Sequence, residues 1–103
     1  MIVMQEIQAF ASRIAEQFRP QRIILFGSYA RGDFTADSDV DLLVVLPFEG
    51  KSWRVAAEIR QRARPSFPLD LLVRTPEQIR QRLMAGDTFL QEVVQQGKVL
   101  HEA

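Results

Sequence analysis

Two aspartates one residue apart at the head of an apolar run, Asp39-Val40-Asp41-Leu42, carry the first chemistry in this chain. On a strand, alternate side chains share a face, so both carboxylates converge on one spot. Their mutual repulsion is relieved by a divalent cation, and hard oxygen donors select magnesium or manganese. A third acid, Asp70, lies inside a second apolar run, Leu69-Asp70-Leu71-Leu72-Val73. An unpaired ionised aspartate is costly in such surroundings, which points Asp70 into the same cleft as Asp39 and Asp41. Paired metal ions in phosphoryl transfer share ligands of this kind, and one group must assist the attacking hydroxyl.

Upstream, Phe26-Gly27-Ser28-Tyr29-Ala30-Arg31-Gly32 follows a short β-branched run. Gly27 lets the backbone approach a ligand closely, and Ser28 opens a helical turn whose free amides suit phosphate oxygens. Taken alone, a Gly-Ser pair is a turn and a cap. Its value comes from the acids that follow at a fixed distance. Arg31 reads equally as a phosphate contact or as a solvated surface cation. Asp33 and Asp37 read as loop residues, and the single histidine, His101, has no partner motif.

Positioning these groups requires strands that end at one edge. Ile7, Phe10, Ala11, Ile14 and Phe18 recur at helical spacing, Pro20 stops that helix, and Arg22 to Phe26 is a first strand. Asp39 to Leu46 is the second strand. Trp53, Ala56, Ala57 and Ile59 mark a second long helix, ended by Pro65, and Phe67 to Val73 is the third strand, with Pro68 near its start. Thr75 is a helix cap with Pro76 at the first helical position; Gly86-Asp87 breaks that helix. Phe89, Leu90, Val93 and Val94 follow at helical spacing, and Gly97 to His101 reads as a short edge strand. Trp53, Phe67 and Phe89 are expected in the core or at a partner interface. Arg60, Arg62 and Arg64 are expected on a solvated helix face.

With 103 residues the expectation is one domain, residues 1–103, of class α/β (α+β). Thirteen basic and thirteen acidic residues balance, so no global field draws the chain onto nucleic acid or an anionic membrane. The N-terminus lacks the pattern of a secretory signal and no apolar stretch reaches bilayer length; with no cysteine, a cytoplasmic protein is expected.

Gly27-Ser28, ten residues, then Asp39-Val40-Asp41 resembles the signature of the polymerase-beta-like nucleotidyltransferase superfamily. The short chain and the wording of both segments are similar to the minimal nucleotidyltransferases, the MNT or MntA-like antitoxins. That resemblance implies a small mixed β-sheet with helices packed against it. It implies that Gly27 and Ser28 bind the triphosphate of ATP, with Arg31 as an added contact. Asp39 and Asp41 would ligate two magnesium ions, and Asp70 would complete the site. It further implies an antitoxin that transfers AMP to a tyrosine of a HEPN-domain ribonuclease toxin, in a hetero-oligomer. Two other readings stand beside it: an antitoxin that neutralises by binding alone, and a nucleotidyltransferase with a small-molecule or RNA acceptor. An intact acid triad speaks against the first, and the absence of an acceptor domain or basic surface against the second.

Overall fold

Helix α1 (Met4–Phe18) buries Ile7, Phe10, Ala11 and Ile14, one stripe at three- and four-residue spacing. It ends where Arg19 turns left-handed and Pro20 follows. In the computed structural model, which describes residues 2–103, strand β1 (Arg22–Phe26), the single turn α2 (Ser28–Arg31) and strand β2 (Val40–Val45) come next. Then follow α3 (Ser52–Ala63), β3 (Leu69–Arg74), α4 (Pro76–Met84), α5 (Thr88–Gln96) and β4 (Lys98–Glu102). The strands form one mixed sheet in the order β3-β2-β1-β4. β2 and β3 run parallel through the α3 crossover, while β1 is antiparallel to both β2 and β4.

Both faces of the sheet are covered. Ile23, Leu25, Leu42, Val44 and Val73 face α1 and α3, where Phe10 and Phe67 meet edge to face at 5.5 Å. Ile24, Leu43 and Val45 face the other way, against Ile79 of α4 and Leu90 and Val93 of α5. A central strand covered twice must be apolar on both sides, which is why Leu42 to Leu46 reads as an unbroken apolar run. Thr75 caps α4 through a reciprocal pair with Gln78, and Asp87 caps α5 by accepting from the Leu90 amide at 3.0 Å.

The mixed sheet with packed helices is the architecture expected from the sequence, with local corrections. β2 starts at Val40, so Asp39 precedes the strand. β3 starts at Leu69: Phe67 lies in the core before it, and Pro68 contributes only its carbonyl, which accepts from the Val40 amide at 3.0 Å. Trp53 is 63 % exposed, because α3 buries Ile59 and Ala63 instead. Arg60 does not simply face solvent: its guanidinium donates to the Leu69 carbonyl at 2.6 Å and ties α3 to β3. Arg62 lies over the Phe18 ring at 4.8 Å.

Candidate active site

Strand β1 stops at Phe26, whose register partner on β2 is Asp41. The chain then turns sharply at Gly27, with φ 73° and ψ −154°, a conformation essentially confined to glycine. A side chain there would run into the Asp41 carboxylate, with Cγ at 3.1 Å from the added carbon. Gly27 therefore does two things at once: it permits the turn and leaves the Asp41 carboxylate room.

After the turn, the Ala30 and Arg31 amides both donate to the Gly27 carbonyl at 3.1 Å. The Ser28 and Tyr29 amides, first in the turn, have no acceptor within it. Tyr29 is buried and stacks on Phe34 at 4.4 Å with the rings 5° from parallel. That stack holds the loop between α2 and β2. Within it the Thr35 amide donates to the Ser38 hydroxyl at 2.8 Å, and the Ser38 amide returns to the Thr35 carbonyl at 3.1 Å. This closed turn delivers Asp39 and Val40 into β2.

Asp41 and Asp70 are direct neighbours on the parallel strands β2 and β3. Partial burial, then the charge and hydrogen bonding of Asp70, then the charge of Asp39 push the Asp41 carboxyl up to about 6; the Arg31 guanidinium opposes the shift. Asp70 lines the cavity beside Asp41, the cleft expected from its apolar run, and is exposed there. β3 is an edge strand, so the face that carries Asp70 opens to solvent. Asp39 is also exposed and lies outside the cavity wall, though its charge still acts on Asp41. Among the described residues no three carboxylate or imidazole groups are gathered tightly enough to form a finished metal cage.

A cavity of about 460 Å³ opens over these acids. Gly27, Arg31, Asp41 and Asp70 line it, so four of the six residues singled out in the sequence meet there, while Ser28 and Asp39 do not form part of its wall. Arg31 also pairs with Asp33 at 3.2 Å on the surface, as a solvated cation would, and it lines the cavity as well. The opposite wall was not anticipated. It comes from α5, through Phe89, Glu92, Val93 and Gln96. Their three- and four-residue spacing was legible, but the polar members match no motif.

A family model described as a nucleotidyltransferase domain matches residues 7–101. The chain belongs to that family. Two Methanocaldococcus jannaschii proteins, both named "Putative protein adenylyltransferase", match shorter stretches. MJ0604 is 49 % identical over 41 residues, covering 38 % of this chain and 41 % of that protein. MJ0141 is 42 % identical over 48 residues, covering 45 % and 48 %. The chain thus spans less than half the length of these relatives. Among solved structures, a nucleotidyltransferase from Sulfolobus solfataricus shares the fold, with a TM-score of 0.61 at 20 % identity over 92 % of this chain and 76 % of that one. A toxin-antitoxin crystallised with AMP-PNP has a TM-score of 0.61 at 26 % identity, covering 97 % and 75 %. A mutant of the toxin-antitoxin MntA-HpeT has 0.54 at 25 % identity, covering 96 % and 72 %.

Within this nucleotidyltransferase domain the donor set fits a hard divalent cation. The Asp70 carboxylate beside it and the charge of Asp39 raise the proton affinity of Asp41, and no side chain at Gly27 fills the space beside Asp41.

Proposed function

We propose that this domain is a magnesium-dependent protein adenylyltransferase and the antitoxin of a toxin-antitoxin pair. It transfers AMP from ATP to a tyrosine of a HEPN-domain ribonuclease toxin and releases pyrophosphate. The observation that carries the reading is the Asp41 and Asp70 pair, side by side on parallel strands and set against the glycine turn at the mouth of one cavity. Family membership supports nucleotidyl transfer. The names of the two archaeal relatives support a protein acceptor, and the toxin-antitoxin neighbours support a toxin as that acceptor. The HEPN identity and the tyrosine rest on the resemblance to MNT antitoxins.

Asp39, Asp41 and Asp70 would hold magnesium, which when bound supplies positive charge to the triphosphate and acidifies the attacking hydroxyl. The chain's own groups do the rest. Amides of Ser28 and Tyr29 donate to phosphate oxygens at the head of α2, and Arg31 adds a charged donor from the same wall. The exposed Asp70 faces the side from which an acceptor can enter and takes the hydroxyl proton on its carboxylate. The acceptor oxygen forms a bond to the α-phosphorus while the bond to the bridging oxygen breaks, and the electron pair leaves with pyrophosphate. The reading places enzyme and toxin together in the cytoplasm.

The test is incubation of the protein with magnesium, labelled ATP and a HEPN-domain protein encoded in the same operon, where the reading expects one, followed by mass spectrometry. The wild type adds AMP to the partner and the Asp39→Asn, Asp41→Asn double variant does not. Silencing of the toxin by both proteins without AMP transfer replaces this reading with neutralisation by binding.

A further inference from the structure

Alternate residues of a strand share a face, so Asp70, Leu72 and Arg74 form one line along β3, at the edge of the sheet. Asp70 and Leu72 line the cavity over the acids. Leu72 also lines a second cavity of about 490 Å³, together with Arg74 of β3, Gln78 and Arg82 of α4 and Phe89 of α5. Phe89 belongs to both walls as well, so the two cavities adjoin across the Leu72 and Phe89 side chains.

The charge changes sign from one cavity to the next. Asp41 and Asp70 dominate the first, whereas in the second Arg74 and Arg82 meet a single carboxylate, Asp87. That carboxylate is already engaged, accepting from the Leu90 amide at 3.0 Å and from Arg82 at 3.1 Å. Among the described residues Arg74 pairs with no carboxylate. It donates to the Val73 carbonyl at 2.7 Å, and a guanidinium has five N–H donors, so most of them remain for a ligand. The second cavity therefore suits an anionic group. Arg74 stands four residues beyond Asp70, roughly 13 Å along the strand. The triphosphate reading places the phosphates at the Gly27 turn after β1, and β2 lies between β1 and β3. Phosphates held there are out of reach of Arg74, whereas an acceptor whose hydroxyl stands at Asp70 extends toward it.

We propose that Leu72, Arg74, Gln78 and Arg82 form a docking surface for an acidic segment of the protein acceptor, with a carboxylate of that segment on Arg74 while its hydroxyl stands at Asp70. The proposal rests on the protein adenylyltransferase reading of the neighbouring cavity. A planar guanidinium matches a carboxylate through two parallel hydrogen bonds. An extended segment covers the distance from Asp70 to Arg74 in about four residues. Between those polar ends, Leu72 and Phe89, which is 50 % exposed, give the segment an apolar surface to cross.

Steady-state AMP transfer to a HEPN-domain protein encoded in the same operon, at varied acceptor and salt concentration, tests this, with ATP binding followed separately by calorimetry in magnesium. Arg74→Glu should raise the acceptor KM by about tenfold, change kcat by less than about twofold and leave the Kd for ATP unmoved. Arg74→Gln keeps a donor for the Val73 carbonyl and guards against a folding defect; it should raise KM by about fivefold and flatten the rise of KM with salt. Arg74→Lys, which keeps the charge, should stay nearer the wild type. An acceptor KM unchanged in both Arg74→Glu and Arg74→Gln overturns the proposal and leaves the transferase reading intact. Weaker ATP binding in step with the higher KM also overturns it, since Arg74 would then hold the nucleotide. A wild type that binds ATP and transfers nothing to the protein overturns both readings together.

Discussion

The Asp41 carboxyl is the residue on which folding and chemistry pull in opposite directions. Its folded value near 6 lies above the ordinary 3.8, so the native state holds this proton more tightly than the unfolded chain does. The associated stability is fully present below pH 3.8 and is lost as pH rises through about 6. Solvent screening at this half-exposed site limits the loss to about 1 kcal/mol. Denaturant titrations between pH 4 and 7 should show this slope in the metal-free protein, and Asp41→Asn should flatten it and raise stability at neutral pH. Magnesium reverses the balance, since it needs the ionised form and competes with the proton; its apparent affinity should weaken as pH drops below about 6. An Asp41→Asn protein with the wild-type pH slope would remove Asp41 as its source. At Gly27, substitution by alanine should cost about 1–3 kcal/mol, because it combines a forbidden backbone conformation with a clash against Asp41. Chemical unfolding reads that cost, and AMP transfer should be lost with it. Retained activity in Gly27→Ala would show that Asp41 has space to move aside.

Helix α5 links the site to the fold, and its two ends are held differently. At its start Asp87 accepts from the Leu90 amide and from Arg82 at 3.1 Å, and these bonds hold its carboxyl below the usual range. That stabilisation is present above the ordinary value of 3.8 and is lost as pH falls through the lower folded one. Asp87→Ala should therefore lower Tm at pH 7 and converge on wild type in strong acid. At its end, Gly97 passes so close to β1 that an added carbon would meet the Val93 carbonyl and the Ile24 side chain, with the Leu25 carbonyl at 3.0 Å. Gly97→Ala should destabilise by about 1–3 kcal/mol in thermal melts and, by displacing α5, weaken nucleotide binding as well. Normal binding by a destabilised Gly97→Ala would separate the helix position from the site. These elements also mark how far the sequence was readable. Periodicity, with caps and turn residues at the ends, located the strands and the longer helices, while α2, a single turn, was legible only from the glycine and serine that open it. It left Trp53 open between core and partner interface, and the core is excluded because Ile59 and Ala63 already fill the contact. It brought Asp70 to the same cleft as Asp41, though its apolar neighbours on an edge strand do not enclose it. The α5 wall stayed hidden because Glu92 and Gln96 are ordinary surface residues until the fold turns them over the acids.

A chain of 103 residues has little stability to spare, so ligand binding should register across the whole molecule. A ligand at a hundred times its Kd adds about 2.7 kcal/mol, which in a domain of this size raises Tm by roughly 10 °C. The sources of that gain are specific here. ATP without a cation brings its phosphates toward Asp41 and Asp70 and is repelled, and a cation without ATP meets carboxylates that are not gathered into a finished cage. Only the two together satisfy both sets of charges, so thermal melts should show a small shift with either alone and a large one with both. In the Asp39→Asn, Asp41→Asn protein two of the three carboxylates are lost and only Asp70 still repels the phosphates, so the gap between ATP with and without magnesium should shrink. Equal stabilisation of the wild type by ATP in the presence of a chelator would instead place the triphosphate wholly on the Gly27 turn and Arg31, and the carboxylates would have no part in holding it.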